Sequence, residues 1–190
     1  MDITAKEVNY KKIVKARQIA EILRVDHAGE YGAKRIYEGQ KYVLKDKESQ
    51  ELIEHMAAQE EEHLAYFDLA LKNHQVRPTA LMPLWHAAGF ALGAVSALMG
   101  KKAAMACTVA VEEVIDAHYQ EQLKELDYID ELPEAATKKL KENIEKFRQE
   151  ELEHKNIGLE NHAEQTFAYH LFKNIIKIGC HTAIELSKKI

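Results

Sequence analysis

Little in this chain would interrupt a helix. Three prolines and eight glycines are spread over 190 residues, and the long stretches free of both favour an all-α protein. Cysteine is scarce. Cys107 and Cys180 form neither a zinc spacing nor a disulfide framework; both read as small buried apolar residues, which suits a reducing, intracellular compartment. There is no surplus of positive charge: 26 Lys and Arg against 31 Asp and Glu leave a net charge of −5, so no nucleic-acid partner is expected. The N-terminal stretch 1–23 lacks the apolar core of a signal peptide, and Asp2 and Glu7 disfavour a transit peptide. The nearest approach to a long apolar run is 78–100, where His86 is the one ionisable group. Pro78, Pro83, Gly89, Gly93 and many alanines argue against that segment crossing a bilayer.

A chain of this length with 46% hydrophobic and 30% charged residues is globular and suits one domain, 1–190. At helical period it divides into four amphipathic segments, about 8–46, 48–73, 101–127 and 134–162, and two apolar ones, about 84–100 and 165–188. The first carries the stripe Ile19, Leu23, Asp26, Glu30, Ala33, Tyr37; the second Ile53, Met56, Glu60, His63, Phe67, Ala70. The third carries Met105, Thr108, Glu112, Ile115, Tyr119; the fourth Leu140, Ile144, Phe147, Glu151, His154, Gly158. Alternating steps of three and four residues mark the inward seam of a bundle helix. Pro133 suits the first turn of the fourth segment, with Asp130 as its cap. In the last apolar segment Phe172, Ile175, Ile176, Gly179, Ala183 and Leu186 share a side, and Lys173, Lys177, Lys188 and Lys189 flank it. Such a helix either docks on its own protein or lies on an anionic membrane surface.

Every amphipathic seam places ionisable groups where a core should be: Glu30, then Glu60 and His63, then Glu112, then Glu151 and His154. An ionised carboxylate in an apolar interior costs several kcal/mol unless paired or bound to metal. Four of them would also repel one another, and a shared cation resolves both problems. Glu-x-x-His sets two ligands one turn apart on one helix face. Two such motifs, each preceded by a helix with a seam Glu, supply the four carboxylates and two imidazoles of a dinuclear carboxylate centre. Without thiolates, iron or manganese fits better than copper or structural zinc. Glu113 replaces Glu112 if the register shifts by one, while Glu61, Glu62, Glu150 and Glu153 read mostly as solvated neighbours. The halves 1–73 and 101–162 look like two repeats of a helix pair, as a pseudo-two-fold site would require. Asp26, one turn before Glu30, either orients a ligand His or pairs at the rim. Tyr119 and His118 lie about two turns after Glu112, where Tyr119 either packs or lines a substrate channel and assists electron transfer. The other histidines are given no role.

The runs Leu23-Arg-Val-Asp-His-Ala-Gly-Glu-Tyr-Gly-Ala33, Glu60-Glu-Glu-His63, Ala106-Cys-Thr-Val-Ala-Val-Glu-Glu113 and Glu150-Glu-Leu-Glu-His154 with Asn156-Ile-Gly-Leu159 resemble the demethoxyubiquinone hydroxylase family over about residues 18–190. The resemblance implies a ferritin-like four-helix bundle with two additional apolar, membrane-facing helices. It implies metal ligands at Glu30, Glu60, His63, Glu112, Glu151 and His154, two iron ions per chain, and a family neighbourhood matched by His118 and Tyr119. The implied activity is a monooxygenase adding one hydroxyl to a polyprenyl methoxy-methyl-benzoquinol with O2, a step of ubiquinone biosynthesis. The resemblance implies NADH or the quinol itself as the electron source, and no glycine motif here argues for a dedicated nucleotide domain. A bilayer-resident substrate gives the apolar segments a purpose. Both are expected to dip into one leaflet, because a span by 78–100 would separate Glu30 and Glu60 from Glu112 and Glu151. The expected location is peripheral, on the cytoplasmic face of a bacterial inner membrane, or the matrix side of the mitochondrial one for a mature eukaryotic form. A homo-oligomer or a ubiquinone-biosynthesis complex stays open. Competing readings are a ferritin-type iron store, a manganese catalase or peroxidase, and a metal-free membrane-interaction module.

Overall fold

The computed structural model describes residues 3–129 and 135–190. Among these there are only helices: α1 (Ile3–Val43), α2 (Lys47–Asn73), α3 (Met82–Leu98), α4 (Lys101–Ile129), α5 (Ala135–Glu160), a 3-10 turn (Ala163–Gln165) and α6 (Tyr169–Lys189). The all-α expectation holds. Asp130 and Pro133, expected to begin the fifth helix, lie outside the described residues.

Helix ends follow local chemistry. Asp46 caps α2 by accepting the Ser49 amide at 2.9 Å, satisfying a donor that the first turn leaves free. Pro83 sits in the first turn of α3, where its missing N–H costs nothing. Gly100, at φ +106°, makes the tight turn from α3 into α4. The last apolar segment does not begin at 165 as expected. Ala168 takes a left-handed conformation and α6 starts after it, at Tyr169.

Helices α1 and α2 pack together, α4 packs on α5, and α3 and α6 cover one flank by lying on α1 and α4. Helix α3 turns its small residues inward. Gly89, Gly93, Ser96 and Ala97 are buried against α1, while Leu84, Val95, Leu98 and Met99 face out. A Cβ on Gly93 would lie 1.9 Å from the Ile36 carbonyl oxygen, and one on Gly39 2.2 Å from that of Phe90, so only glycine permits this approach.

Helix α6 is apolar on two sides rather than one. Ile176 points inward against Ile36, Ala110 and Val111. Leu171, Ile175 and Ile178 are more than 60% exposed. The expected shared side is therefore split, because Ile175 and Ile176 stand about 100° apart on a helix. The lysines differ from expectation as well. Lys173 and Lys177 both donate to Glu113, at 2.8 and 2.9 Å, and Lys188 donates to Glu185. These charges are spent within the protein. The C-terminal end of α6 is tied down by Ala80 N–H and Thr79 Oγ1, which donate to the Ile190 carbonyl, and by Arg24, which donates to that of Lys188. No helix among the described residues is long and apolar enough to cross a membrane.

Candidate metal centre

Four helices bring the seam residues to one point. Glu30 comes from α1, Glu60 and His63 from α2, Glu112 from α4, Glu151 and His154 from α5, and none is more than 1% exposed. Two overlapping groups form. Glu30, Glu60, His63 and Glu151 can offer one ligand atom each within 4.8 Å of one another, and so can Glu60, Glu112, Glu151 and His154. Glu60 and Glu151 belong to both groups, so each could serve two neighbouring ions.

The imidazoles are held with Nδ1 facing the carboxylates. His63 Nδ1 lies 3.3 Å from Glu30 and 3.2 Å from Glu151. His154 Nδ1 lies 3.1 Å from Glu151 and 3.3 Å from Glu60. Each outer nitrogen is taken: His63 Nε2 donates to Glu150 at 2.8 Å, and His154 Nε2 donates to Gln59 at 2.8 Å. With Nε2 as the outer donor, Nδ1 is the nitrogen turned to the cluster, where loss of its proton would leave a lone pair for a cation. Two tyrosines close the ends. Tyr37 Oη donates to Glu112 at 2.9 Å, and Tyr119 Oη donates to Glu30. Each tyrosine stands seven residues after the seam Glu of its own helix and bonds that of the other.

The donor set fits a pair of hard divalent ions. Both oxygens of Glu60, Oε2 of Glu112 and Oε1 of Glu151 are buried and accept no hydrogen bond. Each such group left unsatisfied costs about 1–3 kcal/mol, more when charged. Charge points the same way. Burial and then the neighbouring carboxylates push Glu60 and Glu112 well above the usual carboxylate range. Burial opposes the charged forms of Glu151 and His63, yet hydrogen bonds from His154 and His63 hold Glu151 down at about 2, and those to Glu151 and Glu30 hold His63 up to about 12. Protons thus occupy a site whose ligands want cations.

Asp26 and His118 stand outside the cluster. Asp26 does not meet a ligand imidazole: it accepts from Gln122, and burial pushes its carboxyl up. His118 is 2.9 Å from Gln122 and 3.9 Å from Asp26, and burial pulls it down to about 4. Glu113 turns to α6 rather than the cluster, while Glu61, Glu62 and Glu153 pair with Lys34, Lys146 and His55. Glu150 is not a solvated neighbour. Tyr37, Gln59 and Glu150 were missed, though spacing signalled them: Tyr37 repeats the Glu30-to-tyrosine interval of Glu112 and Tyr119, and Gln59 and Glu150 each precede a seam Glu.

Beside the centre, α1, α3, α4 and α6 enclose an apolar cleft of about 410 Å³. Gly29 and Ala33, which flank Glu30, and Val111, which adjoins Glu112, contribute to its walls, with Trp85, Leu92 and Ile176 opposite.

The family described as "Ubiquinone biosynthesis protein COQ7" matches residues 17–187. The chain belongs to this family. COQ7-family relatives resemble it along most of their length. The Dictyostelium discoideum protein named "NADPH-dependent 3-demethoxyubiquinone 3-hydroxylase, mitochondrial" is 52% identical over 95% of this chain and 81% of its own. The human protein of the same name is 51% identical over 90% and 78%. The "3-demethoxyubiquinol 3-hydroxylase" of Rhodospirillum rubrum is 51% identical over 92% and 80%.

Proposed function

We propose that this chain is a di-iron monooxygenase that hydroxylates the ring of a polyprenyl methoxy-methyl-benzoquinol, demethoxyubiquinol, in ubiquinone biosynthesis. The observation that carries the reading is the pair of overlapping ligand groups sharing Glu60 and Glu151, in a chain whose relatives are hydroxylases by name. The chain is read as one ferritin-like domain, 1–190. Helices α1, α2, α4 and α5 form the four-helix bundle, and α3 and α6 are its two added apolar helices.

Glu30, Glu60, His63, Glu151, Glu112 and His154 would hold two iron ions, which supply the redox chemistry that activates O2. The reaction consumes O2, two electrons and two protons; one oxygen atom enters a ring C–H bond and the other leaves as water. The protein's own part is geometric. Tyr37 and Tyr119 keep their protons, because burial and then the carboxylates push both hydroxyls up. As donors they pin Glu112 and Glu30, leaving the other oxygen of Glu112 without a partner and that of Glu30 facing His63 Nδ1. Glu150 and Gln59 fix the imidazoles. The apolar cleft suits a quinol ring and the start of its tail, and excludes water from the reacting face. Tyr119, in contact with Glu30, is the nearer of the two catalytic candidates. His118 bonds Gln122, which bonds Asp26 one turn from Glu30, so it stands outside the centre rather than against it.

Electrons come from a reduced nicotinamide nucleotide or the quinol; the relatives named NADPH-dependent favour the former class. The exposed apolar residues of α3 and α6 support a peripheral seat in one leaflet, with the cleft opening toward the lipid that carries the substrate. Its face would be the cytoplasmic one in a bacterium, or the matrix one in a mitochondrion, the organelle that the eukaryotic relatives' names give. A homo-oligomer or a complex with other ubiquinone-biosynthesis proteins would be built on the same exposed faces.

The test is metal content and Mössbauer spectroscopy on anaerobically prepared wild type and Glu112→Ala, followed by quinol turnover under 18O2. Two irons per chain, lost in the variant, with one 18O in the product, are expected. A metal-free wild type after iron-replete expression, or hydroxyl oxygen derived from water, refutes the proposal.

A further inference from the structure

The centre is built on an internal two-fold that the residues behind its imidazoles break. A single interval of sequence relates Gln59 to Glu150, Glu60 to Glu151, Glu62 to Glu153 and His63 to His154. The contacts repeat across it. Each ligand imidazole donates from Nε2 to the residue that precedes the seam Glu of the opposite helix. One turn further out, Lys146 faces Glu62 and His55 faces Glu153, again at matching places. What does not match is charge. The partner of His63 is a carboxylate, and the partner of His154 is an amide.

We infer that Glu150 and Gln59 are positioning residues that make the two metal positions unequal, the one served by Glu30 and His63 binding its ion more tightly. This rests on the metal-centre reading above. A carboxylate accepting the outer N–H polarises the ring and strengthens Nδ1 as a donor more than a neutral amide oxygen does, since charge-assisted hydrogen bonds are the stronger ones. Glu150 is suited to the task. Its side chain is 22% exposed, so solvent screens it only in part, and Lys146 at 3.4 Å holds its other oxygen. The halves differ in the same sense further out. Asp26 with its donor Gln122 lies near Glu30, where Thr108 and Gln40 occupy the matching places near Glu112. The consequence is ordered loading, with one ion seated before its neighbour.

The experiment titrates metal-free full-length protein with Co2+ anaerobically, following the visible bands, in wild type, E150Q, Q59E and the Q59E/E150Q exchange. Glu and Gln are nearly isosteric, and both positions are half-buried, so the fold is preserved; thermal melts of the metal-free proteins check this. Wild type should bind in two resolved steps. E150Q should weaken the tight step by about tenfold or more, the usual effect of losing such a partner, and Q59E should strengthen the weak one. The exchange should restore two steps with the positions reversed. One equivalent of 57Fe2+ then reads the reversal, giving a different Mössbauer doublet in the exchange from that in wild type. Steps that stay where they are in all four proteins, or a wild type that fills both positions in one step, overturn the inference and leave the metal centre standing. A wild type that binds no Co2+ or Fe2+ overturns both.

Discussion

Replacing Gly93 with alanine adds one methyl group where two helix backbones touch. Its Cβ would stand 1.9 Å from the Ile36 carbonyl oxygen, 2.7 Å from the carbonyl carbon and 2.9 Å from Cα, against 3.4 Å for an ordinary contact. Helices α1 and α3 must therefore part locally by about 1.5 Å. Because the obstacle is backbone, no side chain can rotate away, which puts the cost near the upper end of the 1–3 kcal/mol range for overpacking, about 3 kcal/mol. The gain in helix propensity from Gly to Ala returns about 1 kcal/mol. The net loss is about 2 kcal/mol, or about 4–8 °C in Tm for a chain of this size. Gly179→Ala is the control. Nothing lies within 4 Å of its new methyl, so the same propensity gain should leave Tm unchanged or slightly raised. Circular-dichroism melts of the metal-free protein compare the two. A Gly93→Ala protein that melts within about 1 °C of wild type would refute the backbone-contact reasoning. Metal titration gives a second readout. Ile36 adjoins Tyr37, which pins Glu112, so a displaced α1 should also weaken metal binding.

Three further outcomes are expected. Metal affinity should fall with pH by about tenfold per unit for each proton displaced. Glu60, Glu112 and His63 all have raised pKa values and hold protons that an ion must expel; calorimetry in buffers of different ionisation enthalpy would show proton release, and pH-independent binding would contradict it. Glu113→Gln should loosen α6 by about 1 kcal/mol at neutral pH, the upper end for partly exposed ion pairs. Burial opposes the Glu113 charge, but Lys173 and Lys177 outweigh it and lower its pKa. A depressed carboxylate stabilises at neutral pH and stops doing so as pH falls through its folded value, so the variant's deficit should vanish in acid; a deficit that persists there refutes the ion-pair account. Replacing Leu171, Ile175 and Ile178 together by serine removes three exposed apolar side chains and should reduce sedimentation with lipid vesicles by about tenfold or more, given about 1.5–3 kcal/mol for each when fully buried. Unchanged sedimentation would place the membrane seat elsewhere or abolish it.

The amino-acid sequence alone determined the helical class and which acids and imidazoles face inward. Both are periodic properties, written as apolar steps of three and four with acids and imidazoles inserted at inward positions. A buried Glu-x-x-His is legible because no apolar core tolerates it alone. The same periodicity misjudged α6, since a helix apolar both on its packed side and on its exposed side has no single stripe. Only tertiary structure decided what depends on which helices face one another. It turned Glu113 outward to Lys173 and Lys177, gave Asp26 to Gln122, and set Glu150 and Gln59 behind the imidazoles of opposite helices. Each of those partners lies many residues away along the chain. A repeat of period 3.6 states which face of a helix is buried; the neighbour that meets it is chosen by how the helices cross.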